Sequence, residues 1–156
     1  MSHVALFRNL NQGQSGSPTR DALAAAFATE GAGDVRFVRG NGTVVFDGDA
    51  SLANAVATRL AATSPWHDVV QVRSLDWVRE LVASNAEPSR VEVTFFDESL
   101  SVAPPLEARR CRLLEGGAGF AVVLNLVDRV SDGTPLIEKA LGVRATSRGV
   151  GTLQLL

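Results

Sequence analysis

Hydrophobic and polar positions along this chain follow two periods in turn, one of strands and one of helices. Residues 3–8, HVALFR, are nearly all apolar, as expected of a strand buried on both faces. From Thr19 to Gly31, Leu23 and Phe27 share one helical face, separated by alanines, and glycine ends the run. Ser17 followed by Pro18 predicts the helix start, a hydroxyl cap and then a residue that needs no N–H. DVRFVR (34–39) alternates, GNG (40–42) is a turn, and TVVFDG (43–48) resumes the apolar character, which predicts a hairpin. Leu52, Val56 and Leu60 repeat at four-residue spacing in a second amphipathic helix over 49–63. VVQVR (69–73) is another strand. The order is β-α-β-β-α-β, a ferredoxin-like arrangement.

The second half repeats the theme less cleanly. Ser74 can cap a helix carrying Leu75, Val78, Leu81 and Val82. VEVTFF (91–96) is a strand with Val91, Val93 and Phe95 on one side. Pro104 and Pro105 break the chain, and residues 107–127 predict a hairpin about the glycine-rich turn at Gly116 to Gly119. Thr134-Pro135 starts a short helix that Gly142 ends. The last fifteen residues fit no single pattern. The fold class expected is α+β: a ferredoxin-like subdomain over 1–73, and a second ferredoxin-like-type subdomain over 74–156 packed on the first.

Composition narrows the classes of function. At 156 residues with 46% apolar, the chain can bury a sizeable core. A formal net charge of -2 lacks the basic excess of a nucleic-acid binder. No apolar run approaches the roughly 18 to 20 residues that span a bilayer. The N-terminus lacks the basic leader and apolar core of a secretory signal. Cys111 is alone, which fits a reducing cytoplasm. Of the 15 basic residues only Lys139 is lysine, the bias of a GC-rich genome such as many bacteria have.

No metal set is readable: His3, His67 and Cys111 have no zinc spacing, and no cofactor fingerprint is present. Cys111 sits in an alternating strand pattern and reads as a small buried hydrophobe, and His67 as a loop residue. EARRCR places Arg110 and Arg112 on one strand face, with Arg109 and Cys111 on the other. A charged edge strand explains it without nucleic acid. The loop NLNQGQSGSPTR (9–20) lacks the lysine of a phosphate loop and the three glycines of a dinucleotide fingerprint. The helix start after it could still attract an anion, helped by Arg8 and Arg20.

ALFRNLNQG (5–13), then VRFVRGNGTVVFDGD (35–49), then ATSRGVGT (145–152) resemble three motifs of the domain of unknown function 1697 family. That family opens with Arg-Gly-x-Asn-x-Gly-Gly, continues with a hairpin on Ser-Gly-Asn-Val-Val-Phe, and closes with Ala-Thr-x-Arg-Asn-Trp-Asn-Thr. The resemblance implies two α+β subdomains and no activity. Arg8, Asn11 and Gly13 match the opening motif, Gly42 and Val44 to Phe46 the hairpin, and Thr146, Arg148 and Thr152 the closing motif. Asn9 and Gln14 stand where glycines are usual, Thr43 replaces the hairpin asparagine, and Gly149, Val150 and Gly151 replace Asn-Trp-Asn.

Three functional readings stay open. The leading one is a small cytoplasmic binding or interaction module with a polar site from Arg8, Asn11, Gly13, Ser17, Thr146 and Arg148. The second is an enzyme that clamps an anionic small molecule with arginine, with Asp47 or Asp49 as proton carriers. The third is a structural protein acting by self-association. The partners to expect are a small anionic ligand or a second copy of the chain, with no membrane and no nucleic acid. No catalytic residue is assigned.

Overall fold

A computed structural model describes residues 1–85 and 89–156. The chain divides into two units, Met1–Arg79 with Leu156, and Glu80–Leu155. It is an α+β chain with two antiparallel sheets.

The first unit holds β1 (Ser2–Phe7), α1 (Arg20–Thr29), β2 (Gly33–Val38), β3 (Thr43–Asp47), α2 (Ser51–Thr63) and β4 (Val70–Ser74). The strands lie in the order β2-β3-β1-β4, with β1 central, pairing Val4 to Val45 and to Arg73. Ala5 and Phe7 of β1 and Val44 and Phe46 of β3 face a core closed by Leu23 and Phe27 of α1 and Val56 and Leu60 of α2. Phe27 meets Phe46 at 5.4 Å and Phe7 edge-on at 6.1 Å, and Trp66 meets Phe7 at 5.7 Å. Such aromatic pairs add to area burial. Val38 and Val45 pack with Leu75 on the other sheet face. Val4 to Phe7 are all fully buried, because both faces of β1 are covered.

The cap of α1 differs from the expectation. Thr19, not Ser17, is the N-cap: its hydroxyl accepts from the Ala22 N–H at 3.1 Å. Ser17 Oγ accepts instead from the Asn11 N–H at 3.1 Å, so it closes the loop. An N-cap hydroxyl reaches the N–H three residues on, which Thr19 does at Ala22 and Ser17, five residues away, does not.

The second unit takes in the end of α3 (Leu75–Ala83), then β5 (Val91–Phe95), β6 (Glu107–Ala108), β7 (Cys111–Gly117), β8 (Phe120–Asn125), α4 (Gly133–Leu141), β9 (Thr146–Gly149) and α5 (Val150–Leu153). Its sheet runs β6-β7-β8-β5-β9, again with the first strand of the unit inside. No helix separates β5 from β7 among the described residues. Leu100, Val102 and Leu106 of that connection pack instead on a core of Phe96, Leu113, Val123, Leu136 and Ile137. The unit therefore lacks the first helix that a second β-α-β-β-α-β order would require. EARRCR is likewise not one strand: the chain turns at Arg109 and Arg110, so β6 and β7 form a tight hairpin with Ala108 opposite Cys111.

Candidate functional site

The opening-motif loop is built by its backbone. Asn9 has φ 54° and Gly13 φ 82°, both in the left-handed region that asparagine and glycine tolerate. Asn9 thus keeps a conformation suited to the family's glycine. The Gln12 N–H reaches the Gly40 carbonyl at 2.8 Å, and the Gln14 N–H the Asn11 carbonyl at 3.1 Å. Gly42, at φ 76°, has the Phe7 carbonyl oxygen 3.0 Å from where a Cβ would stand. Its place in the motif is therefore structural. Thr43, in the asparagine's place, donates its hydroxyl to Asn41 Oδ1 at 2.8 Å.

The motif side chains are partly spent inside the first unit. Arg8 Nη1 donates to Asp68 Oδ2 at 2.9 Å, and Asn9 Nδ2 donates to the same oxygen at 3.0 Å. Trp66 Nε1 donates to the Arg8 carbonyl at 2.9 Å. The structure brings Asn11 and Ser17 together, and leaves the Asn11 side chain exposed beside Gly13.

Thr146 and Arg148 fall in the second unit, on β9, and both are buried. Arg148 Nη1 donates to Thr146 Oγ1 at 2.6 Å and to the Ser147 carbonyl at 2.9 Å. Burial pushes the Arg148 guanidinium down to about 10, so it stays charged at neutral pH.

A buried polar set that the sequence pattern missed fastens α4 to β5. Glu92 Oε1 accepts from the Gly133 N–H and Oε2 from the Ser131 hydroxyl, each at 2.6 Å. Ser147 Oγ lies 2.7 Å from both Thr94 Oγ1 and Thr134 Oγ1. The carboxylate caps the helix N-terminus in place of the Asp132 side chain, which makes no cap bond. A Cβ on Gly133 would collide with Glu92 and Thr94, so the helix end comes this close only because glycine stands there.

The second unit also has a groove of about 830 Å³ between the β6–β7 turn and α4. Pro135, Leu136, Lys139 and Ala140 line one wall at the spacing of a single helix stripe. Leu106 and the turn residues Arg109 and Arg110 line the other. Arg110 grips Asp132 bidentately, at 2.8 and 3.0 Å, and ties the turn to the start of α4. Arg109 and Lys139 are exposed, and neither has an ion-pair partner among the described residues. Cys111 lies buried at the base. Burial pushes its thiol up, as do the charges of Asp132 and Glu92, so it holds its proton. His3 and His67 belong to the first unit, and His67 is exposed. Among the described residues, no group of three His, Cys, Asp or Glu side chains could hold a metal, and no helix is long and apolar enough to cross a membrane.

A family model described as protein of unknown function (DUF1697) matches residues 1–114. The chain belongs to the DUF1697 family. The match takes in the opening loop, the hairpin and the β6–β7 turn, and stops before α4 and the closing motif. No curated protein matches the chain. Among solved structures, the conserved bacterial protein SP0830 from Streptococcus pneumoniae is similar at a TM-score of 0.68 and 19% identity. The alignment covers 99% of this chain and 95% of that one. At that identity the likeness speaks for the fold alone, and for a DUF1697 chain it extends the α+β architecture through the closing segment.

Proposed function

We propose that this DUF1697 protein is a binding module of two ferredoxin-like-type units, and that its ligand sits in the groove between the β6–β7 turn and α4. One observation carries the reading: Arg109 and Lys139 stand at the groove without an ion-pair partner among the described residues, over an apolar wall of Leu106, Pro135 and Leu136. Concave sites of this size that join apolar surface to convergent polar groups are where small ligands bind. Its setting in this reading is the bacterial cytoplasm, where the lone buried thiol of Cys111 stays reduced. The protonated thiol and the fully bonded Glu92 set favour binding over catalysis, since neither offers a poised nucleophile or base.

A second reading keeps the ligand at the opening-motif loop, favoured by the exposed Asn11 side chain on a braced backbone. There Arg8, Asn11, Gly13 and Ser17 of the first unit would be the contacts; Thr146 and Arg148, in the second unit, are buried and bonded to each other. Arg8 shares its charge with Asp68 and Ser17 its oxygen with the Asn11 N–H, which weakens the case.

The test is location. A survey of neutral and anionic small-molecule fragments by amide-detected NMR should move the signals of residues 106–111 and 136–140. Shifts confined to residues 8–17 would support the second reading. Turnover of a fragment would move the protein to the enzyme class, and a concentration-dependent dimer mass to self-association.

A further inference from the structure

Resting on the groove as the seat, we infer that its ligand is a small organic monoanion with an apolar body, a carboxylate joined to an alkyl or aryl group. Charge fixes the head. Three cations, Arg109, Arg110 and Lys139, and two carboxylates, Glu107 and Asp132, line the groove. Arg110 and Asp132 neutralise each other in a bidentate pair. What remains is Arg109 and Lys139 against Glu107, one positive charge in excess. A single negative charge balances it; a dianionic phosphate would leave Glu107 repelled and its own second charge unmet.

The helix N-terminus does not compete for that head. The Glu92 carboxylate already accepts from the Gly133 N–H, so the positive end of α4 is occupied from within. The anion is therefore left to the side-chain cations, one on the hairpin turn and one in the last turn of α4. The body follows from the walls. Leu106, Pro135, Leu136 and Ala140 offer apolar surface, and about 830 Å³ is far more than a bare carboxylate fills. Each buried methylene of an alkyl chain adds to the binding there, which a short chain such as acetate cannot supply.

Octanoate, octanol and acetate test head and body separately on the full chain. Octanoate should bind saturably, with NMR shifts at residues 106–111 and 136–140. Acetate and octanol should each bind at least about tenfold more weakly, because each lacks one of the two contributions. The double variant Arg109→Ala, Lys139→Ala should lose about tenfold for octanoate and leave octanol unchanged. Both residues are exposed, so an unaltered melting temperature will show that the fold is kept. Octanol binding as tightly as octanoate at the groove would overturn the anionic ligand while leaving the groove as a binding site. Acetate binding as tightly would overturn the apolar body. Silence from all three overturns this inference. The binding-module reading falls with it only if the wider fragment survey is silent as well.

Discussion

The two units of this DUF1697 chain share a strand order and differ in what covers it. Read from the edge, β2-β3-β1-β4 corresponds to β7-β8-β5-β9, with β6 added beyond β7. In the first unit two helices cover one sheet face, and they are bound to each other by Arg59 and Glu30 at 2.7 Å. That exposed pair contributes at most about 1 kcal/mol; the aromatic core does most of the holding. In the second unit α4 stands without such a neighbour, and the connection 97–106 lies where a first helix would run. This irregular connection covers less area than a helix would, and the flank of α4 is left as one wall of the groove. The groove thus lies in the unit that lacks a first helix.

The largest expected effect breaks this contrast in covering. Phe27→Ala removes a fully buried ring from α1 and should cost about 3–5 kcal/mol. Leu106→Ala, at the matching place in the second unit, removes a partly buried side chain and should cost about 1 kcal/mol. Urea unfolding of each variant measures both. Equal losses would mean that the connection 97–106 covers its sheet as a helix does, and the groove would need another origin.

The same contrast explains what could be read from the sequence. In the first unit each element has one apolar stripe, and periodicity marks it: Leu23 and Phe27, then Val56 and Leu60, face the sheet as their spacing requires. In VEVTFF the alternation suggests that Glu92 and Thr94 face water, yet both are buried. Their partners, the Gly133 N–H and the hydroxyls of Ser131 and Ser147, lie some 40 to 50 residues away, and no local pattern reports them. The hairpin turn at Arg109 and Arg110 was equally silent. Neither residue has a positive φ, so the turn needs no glycine or asparagine and leaves no mark. Without that turn, Arg109 and Lys139 could not be brought to one groove by inspection. The family motifs were legible, and for Gly42 the reason is structural, since a Cβ there would meet Phe7.

A medium effect sharpens the contrast in how helices are fastened. Gly133→Ala pushes a methyl into the Glu92 and Thr94 side chains and should cost about 1–3 kcal/mol. Gly42→Ala places a Cβ at a positive φ in the first unit and should cost about 1–2 kcal/mol. The distinguishing readout is local. Gly133→Ala should raise amide exchange in α4 first, and Gly42→Ala in the β2–β3 hairpin. Exchange rising uniformly in either variant would contradict the idea that each glycine secures one element.

The smallest effect concerns two carboxylates held below the usual range by different means. Asp47, at the end of β3, is lowered first by the hydroxyl of Ser2, with smaller help from Asp34, the N-terminus and His3. Asp128 is lowered first by the hydrogen bond from Arg90 at 2.6 Å and then by its charge. Both folded values lie below the ordinary 3.8. Each group therefore stabilises the fold fully above that value, and its contribution is lost as pH falls through the lowered one. Salt separates the two causes. Raising ionic strength shortens the Debye length from about 10 Å at 0.1 M to about 3 Å at 1 M. Carboxyl NMR titrations should then show Asp128 moving part of the way back to 3.8, because a full charge holds it, and Asp47 moving less, because a neutral hydroxyl does most of the holding. Ser2→Ala should release Asp47 toward 3.8 at either salt and leave Asp128 where it was. Equal salt sensitivity of the two would show that charge, not the hydroxyl, sets Asp47, and that the N-terminus and His3 carry more of its shift than Ser2 does.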